Sequence, residues 1–409
     1  MKILFFVLIL GVLLSCTVDQ PLPGGDEILD RDERGGVMPP ITLKPVETGR
    51  FWEAPVTGYS PSIVLGARDE FTSHVLININ TLYALDSSAI TQATLNLYSN
   101  QVYSENAHVE FTLYEITVDW EEATVDWETI KDGYDPNPIE TMSATFSDTT
   151  WIELPFSNLN FISEWINDQK NEADVIKGLL LKCTANSPAV EFYSSDAGGS
   201  IPYVEFIYPD SSGEAQDTMD LALSQDASLL NVDHELNENQ IVKGPDYLRI
   251  GNASGYKSLL RFDFSEIPES ATIHQAFLTL HIDQSRGMTL KERGLSISAT
   301  AVLNDSIWSD GSTVKKDSVF SMASDVAFID NETFAIDSEN GLTLLSHIVQ
   351  RWTLDIRDNY GLLLMPNSAG RDFQELYFHS GKVDTAHAPT LEITYSLPPD
   401  HRFLAGGSE

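Results

Sequence analysis

The sequence predicts an all-β protein: two tandem β-sandwich domains, each with one short helix, behind a signal peptide and a flexible tether. Three observations lead there. Apolar and polar residues alternate along the chain, as where Leu260, Phe262 and Phe264 are separated by Arg261 and Asp263, and a strand sends successive side chains to opposite faces. Short polar turns join such runs, as in SEIPES at 265–270, where Pro268 lacks the donor that a central strand needs. The landmarks of residues 51–208 then return in the same order between 218 and 397, which reads as a duplication.

Taken in order, the chain of 409 residues opens on a positive Lys2 and an apolar run from Ile3 to Leu14. That run has the length of a signal-peptide core and is too short to span a bilayer. Ser15 and Cys16 follow, and the stretch Leu13-Leu14-Ser15-Cys16 resembles the lipobox of bacterial lipoproteins. The resemblance implies removal of residues 1–15 and acylation of Cys16 as the first residue left. It places the chain at a bacterial cell envelope, expected at the outer membrane and surface-exposed, touching membrane through its lipid alone. Residues 16–50 are rich in Gly, Pro and acidic residues without sustained periodicity, which reads as a tether. With Cys16 lipidated, Cys183 is the one remaining cysteine, so neither an intrachain disulfide nor a cysteine-based zinc site is expected.

Six matches define the two copies. Val75, Ile77 and Ile79 align with Leu260, Phe262 and Phe264 at an offset of 185. Ala93, Leu95 and Leu97 align with Ala276, Leu278 and Leu280 at 183, and Trp120 aligns with Trp308 at 188. Phe161, Ile162 and Trp165 align with Ile348, Val349 and Trp352 at 187; their helical spacing predicts the one helix of each copy. Gly178–Leu181 aligns with Gly361–Leu364 at 183, and the run from Pro202 to Tyr208 aligns with that from Pro389 to Tyr395 at 187. The first sandwich is expected over 51–208, a polar linker over 209–217, the second sandwich over 218–397 and a tail over 398–409.

The stretches YLRIGN (247–252), SLLRFDFSEIP (258–268), ATIHQAFLTL (271–280), DNYGLLLMP (358–366) and APTLEITY (388–395), with WEEATVDW (120–127) in the first copy, resemble the DNRLRE domain of bacterial and archaeal surface proteins. The resemblance implies a jelly-roll-like sandwich and a binding role beside polysaccharide-degrading modules, some relatives binding acidic glycans such as alginate. The second copy keeps Trp308 and lacks the second Trp of that segment.

The net charge of −37, from 61 acidic and 24 basic residues, argues against nucleic acid and anionic lipid as partners. It favours neutral over acidic glycans. There is no HExxH, P-loop or GxSxG segment. No enzymatic activity and no cofactor are therefore expected; the acidic turn DNET at 330–333 is a conceivable but unsupported calcium site. Sugars stack on aromatic rings and exchange hydrogen bonds with carboxylates. Trp120, Glu122 and Trp127 offer both kinds of group in the first copy, and Arg261, Asp263 and Trp308 do so in the second. Trp120 and Trp308 recur with core residues and would equally fill a sandwich edge, while Arg261 and Asp263 would equally form an ordinary surface pair. The expected function is polysaccharide binding without cleavage, by a surface lipoprotein whose two weak sites add avidity. The alternatives are an adhesive protein with a protein partner and, third, a polysaccharide hydrolase or lyase.

Overall fold

The computed structural model describes residues 36–398 except 56, 69–70, 83–84, 105–106, 172–176, 185, 211, 233–239, 291, 309–313, 316–322, 337–343 and 368–370. The expected signal peptide, Cys16, residues 17–35 of the tether and residues 399–409 of the tail lie outside that set.

The described chain is mostly β, in three antiparallel sheets of which two curl strongly. Alternation sets the strands. In Gln92–Val102 the side chains of Ala93, Leu95 and Leu97 are buried, and Thr94 and Tyr98 are half-buried on the other face. Both expected helices form, Leu159–Asn171 and Leu344–Thr353, and they bury Trp165 and Trp352. Asn158 starts the first by accepting the Phe161 N–H at 3.1 Å. A third helix, the single turn Trp127–Ile130, was not expected; the Asp126 carboxylate caps it by accepting from the Thr129 N–H.

An eleven-stranded sheet spans residues 62–232 and encloses one core. Two six-stranded sheets enclose a second core, built chiefly from residues 242–396. The pairings recur between the halves. Ile77 faces Leu179 and Leu260 faces Leu362, an offset of 183. Gly178 and Gly361 precede these leucines at positive φ, +139° and +104°. A Cβ there would meet the Ile77 and Leu260 carbonyl oxygens at 2.6 and 2.7 Å, so glycine is required at both. This pairing corrects the offset of 185 expected for Val75, Ile77 and Ile79. A slip of two residues keeps every side chain on its face, so alternation cannot detect it.

The larger correction concerns the ends of each copy. The expected tether ran to residue 50, yet Ile41–Leu43 and Pro45–Trp52 are strands. They do not join the copy they precede. Ile41–Leu43 pairs with Thr390–Ser396, and Pro45–Trp52 lies between Val242–Lys243 and Tyr256–Phe262. The expected linker 209–217 likewise runs into Gln216–Ala222, which pairs with Tyr203–Pro209, and Gln225–Val232 follows, pairing with Phe71–Asn78 across eight residues. Each half therefore receives two strands from the segment leading into the other. Leu43 lies in the second core and Leu223 in the first.

Charge also ties the halves together. Arg293 bonds the fully buried Glu191 at 2.7 and 3.2 Å and Asp372 at 3.1 Å. Tyr103 accepts the Phe373 N–H at 3.0 Å and packs edge-on against that ring. A buried carboxylate is tolerable only while paired. Arg293→Ala is therefore expected to cost about 3 kcal/mol in urea unfolding, whereas removing the exposed Lys131–Glu128 pair costs under about 1 kcal/mol. Equal costs for the two changes would contradict this assignment.

Candidate functional site

The six binding residues singled out in the sequence do not make one site, although Trp120 and Trp127 pack against one apolar cluster and Arg261 lies near Trp308. Trp120 donates its indole N–H to the Lys177 carbonyl at 2.7 Å, and Trp308 donates to the Tyr360 carbonyl at 2.8 Å. These are equivalent bonds, each made to the residue before Gly178 or Gly361. Both rings thus pin the turn into a Leu-rich strand. Trp127 rests against the His74 imidazole, with centroids 4.7 Å apart, and the Lys182 ammonium sits 5.6 Å from its ring. Lys182 also donates to the Tyr134 hydroxyl at 2.6 Å. Burial, with Lys182 adding to it, holds His74 down to a pKa of about 3. The chain's own side chains thus occupy the surroundings of Trp127.

Glu122 accepts the Asp226 N–H at 2.9 Å, which ties its loop to the exchanged strand Gln225–Val232. Arg261 pairs with Glu47 at 2.6 Å and Asp305 at 3.4 Å, and its guanidinium lies 5.8 Å from the Trp308 ring. The expected Arg261–Asp263 pair is replaced by these contacts; Asp263 instead accepts the Ser265 N–H at 2.9 Å and shapes the turn. A cleft of about 310 Å³ opens beside Trp308, lined also by Glu47, Thr48, Lys243, Ser380 and Lys382. Trp308 is only 5% exposed there, so it offers an edge to the cleft and no broad ring face. Cys183 is buried, and burial pushes its thiol up to about 11, which suits a packed and unreactive side chain.

The arrangement best suited to a ligand lies elsewhere, on the outer face of the first half. Tyr98, Trp151, Tyr193 and Tyr203 come from four strands, Gln92–Val102, Thr150–Pro155, Val190–Tyr193 and Tyr203–Pro209. Each is an outward neighbour of inward residues: Leu97 beside Tyr98, Ile152 beside Trp151, Phe192 beside Tyr193, Val204 beside Tyr203. Tyr193 and Tyr98 stack at 5.3 Å and 9°. Trp151 meets Tyr98 edge-on at 5.3 Å and 79°, and Tyr203 meets Trp151 at 5.3 Å and 68°. Four rings therefore form one row, in which Trp151 is 40% exposed. Burial, then the carboxylates of Asp220, Glu205 and Glu153, raise the Tyr203 hydroxyl above its ordinary pKa. Asn100 and Glu191 are hydrogen-bonded at 2.9 Å. Alternation could have marked each ring as outward-facing, but bringing four strands together is a long-range fact.

No family model matches the chain, and no curated protein matches it.

The tie at Glu122 yields a pH prediction. Asp226 is fully buried; one carboxylate oxygen accepts the Ser195 N–H at 2.6 Å and the other has no hydrogen-bond partner among the described residues. Burial raises its pKa to about 7, the Ser195 bonds opposing and Glu122 and Asp196 adding. A carboxyl raised in the folded state contributes stability that is full below its unfolded pKa and lost as pH rises through the folded value. Stability is expected to fall between pH 3.8 and about 7, and Asp226→Asn should flatten that slope in urea titrations. An unchanged slope would contradict the assignment.

Proposed function

We propose that this chain is a non-catalytic glycan-binding protein whose platform is the ring row Tyr193, Tyr98, Trp151 and Tyr203. That row is the observation that carries the reading. Sugar C–H faces pack on aromatic rings, and carboxylates such as Glu153 and Glu205 accept hydroxyl hydrogen bonds. The reading takes each half as a jelly-roll-like sandwich, in keeping with the resemblance of its strands and turns to DNRLRE domains. It takes the amino end as a lipid anchor at Cys16 on a bacterial surface. The carboxylates around Tyr203 and the net charge of −37 disfavour uronate polymers and favour neutral ones.

Affinity electrophoresis in gels containing neutral polysaccharides (xylan, mannan, β-glucan) or acidic ones (alginate, polygalacturonate) tests this. A neutral polymer should retard the chain. Trp151→Ala should weaken retardation about tenfold, while Trp127→Phe should leave it unchanged. Preference for the acidic set, or full retardation of Trp151→Ala, would overturn the reading. Exposed aromatic rings also suit a protein partner; lack of retardation by any polymer would favour that role.

A further inference from the structure

The two halves share a strand and a turn whose enclosed space is filled in one half and open in the other. Ile77 and Leu260 are equivalent residues; Ile77 faces Asp226 and Leu260 faces Thr48. Asp226 and Thr48 therefore hold the same place in the two halves. The turn follows a strand that also matches. Phe192 pairs with Ser99 as Phe378 pairs with Ile282, which carries Ser194, Ser195 and Asp196 onto Ser380, Gly381 and Lys382. Their hydrogen bonds repeat. Ser194 accepts the Asp196 N–H at 3.1 Å and donates to the Ser60 carbonyl at 2.6 Å. Ser380 accepts the Lys382 N–H at 3.2 Å and donates to the Asp246 carbonyl at 2.9 Å.

In the first half a carboxylate of the chain itself joins the strand to the turn. Asp226 is fully buried and accepts the Ser195 N–H at 2.6 Å. Burial, and then the like charges of Glu122 and Asp196, oppose its ionised form. In the second half Thr48 brings no carboxylate. The Gly381 N–H has no hydrogen-bond partner among the described residues, and Thr48 and Gly381 both line the open cleft of about 310 Å³. The local charge is reversed as well. Lys382 stands in the place of Asp196, and Lys243 lines the same cleft with no ion-pair partner among the described residues. Lys382 pairs with Asp246 at 2.8 Å, but an ammonium carries three donors, so two remain. Glu47, the acid in the wall, is paired with Arg261.

We propose that this cleft binds the carboxylate of a small organic acid, with the Gly381 N–H and the Lys243 and Lys382 ammoniums as donors, and with Pro45, Val46 and the Trp308 edge against its carbon skeleton. The ligand's carboxylate takes the place that Asp226 fills in the first half, and bonds from ammoniums to a carboxylate are the stronger, charge-assisted kind. Small-molecule pockets begin at about 300 Å³, so the cleft suits a single small acid. It shares no residue with the ring row, and the inference stands apart from the glycan reading.

The test is saturation-transfer NMR at pH 7.5 on the full chain in mild detergent, with sodium butyrate and with butyramide as its uncharged counterpart. Butyrate should give a saturable signal, and butyramide should bind about tenfold more weakly or worse. Thr48→Asp gives the second half the carboxylate that the first half carries, and should abolish the butyrate signal. Lys243→Gln with Lys382→Gln, both exposed, should weaken butyrate about tenfold or more and keeps the test open if Thr48→Asp does not fold. Lys131→Gln, at an exposed helix end of the first half, should change nothing. Absence of a butyrate signal in the unaltered chain, equal binding of butyramide, a full signal in either folded cleft variant, or its loss in Lys131→Gln would overturn the site.

Discussion

Backbone pairing between segments 147 to 217 residues apart holds this molecule together. Pro45–Trp52 runs along Tyr256–Phe262 from Trp52 against Tyr256 to Pro45 against Phe262, and Gln225–Val232 runs along Phe71–Asn78. Every buried strand must have its N–H and C=O groups paired. Tyr256–Phe262 and Phe71–Asn78 are both internal, and each is satisfied on one side by a segment that leads into the opposite half. Phe51 adds an apolar anchor by packing against Leu259, Trp308 and Leu363, and Ala227 and Leu229 do the same against Leu76 and Leu180. The exchange is reciprocal, so neither set of pairings is complete without the other half of the chain.

The halves keep one framework and differ at its surfaces. Framework positions recur: the glycines before the Leu-rich strands, the tryptophans that pin those turns, and the helix that buries Trp165 or Trp352. Outward positions of the same strands are free to change, because they leave the core untouched. One half carries tyrosines and a tryptophan there, the other histidines and threonines. Different side-chain chemistry on matching faces follows from that freedom. Buried charge also joins the halves, with Arg293 between Glu191 and Asp372.

Much of the framework was legible in the sequence, since Ala93, Leu95 and Leu97 announce a one-sided strand and Phe161, Ile162 and Trp165 a helix face. The exchange was not. In Pro45–Trp52 only Gly49 and Phe51 are buried, so its alternation is faint, and its partner lies far along the chain. The surroundings of the binding candidates were hidden for a related reason. Trp120, Trp127 and Glu122 stand close together in sequence, yet each is engaged by a backbone carbonyl, a neighbouring cation or an exchanged strand. Tyr98, Trp151, Tyr193 and Tyr203 are scattered over a hundred residues and meet only once strand order is known.

A protease site placed within 210–215, in the turn between Tyr203–Pro209 and Gln216–Ala222, probes the exchange most directly. Cutting there leaves each fragment holding two strands of the other's sheets. Reciprocal exchange predicts that the cut chain still elutes from size exclusion as one particle in native buffer, and separates only in denaturant. Fragments that part in native buffer would show that each half is completed by its own leading segment, and would contradict reciprocal exchange.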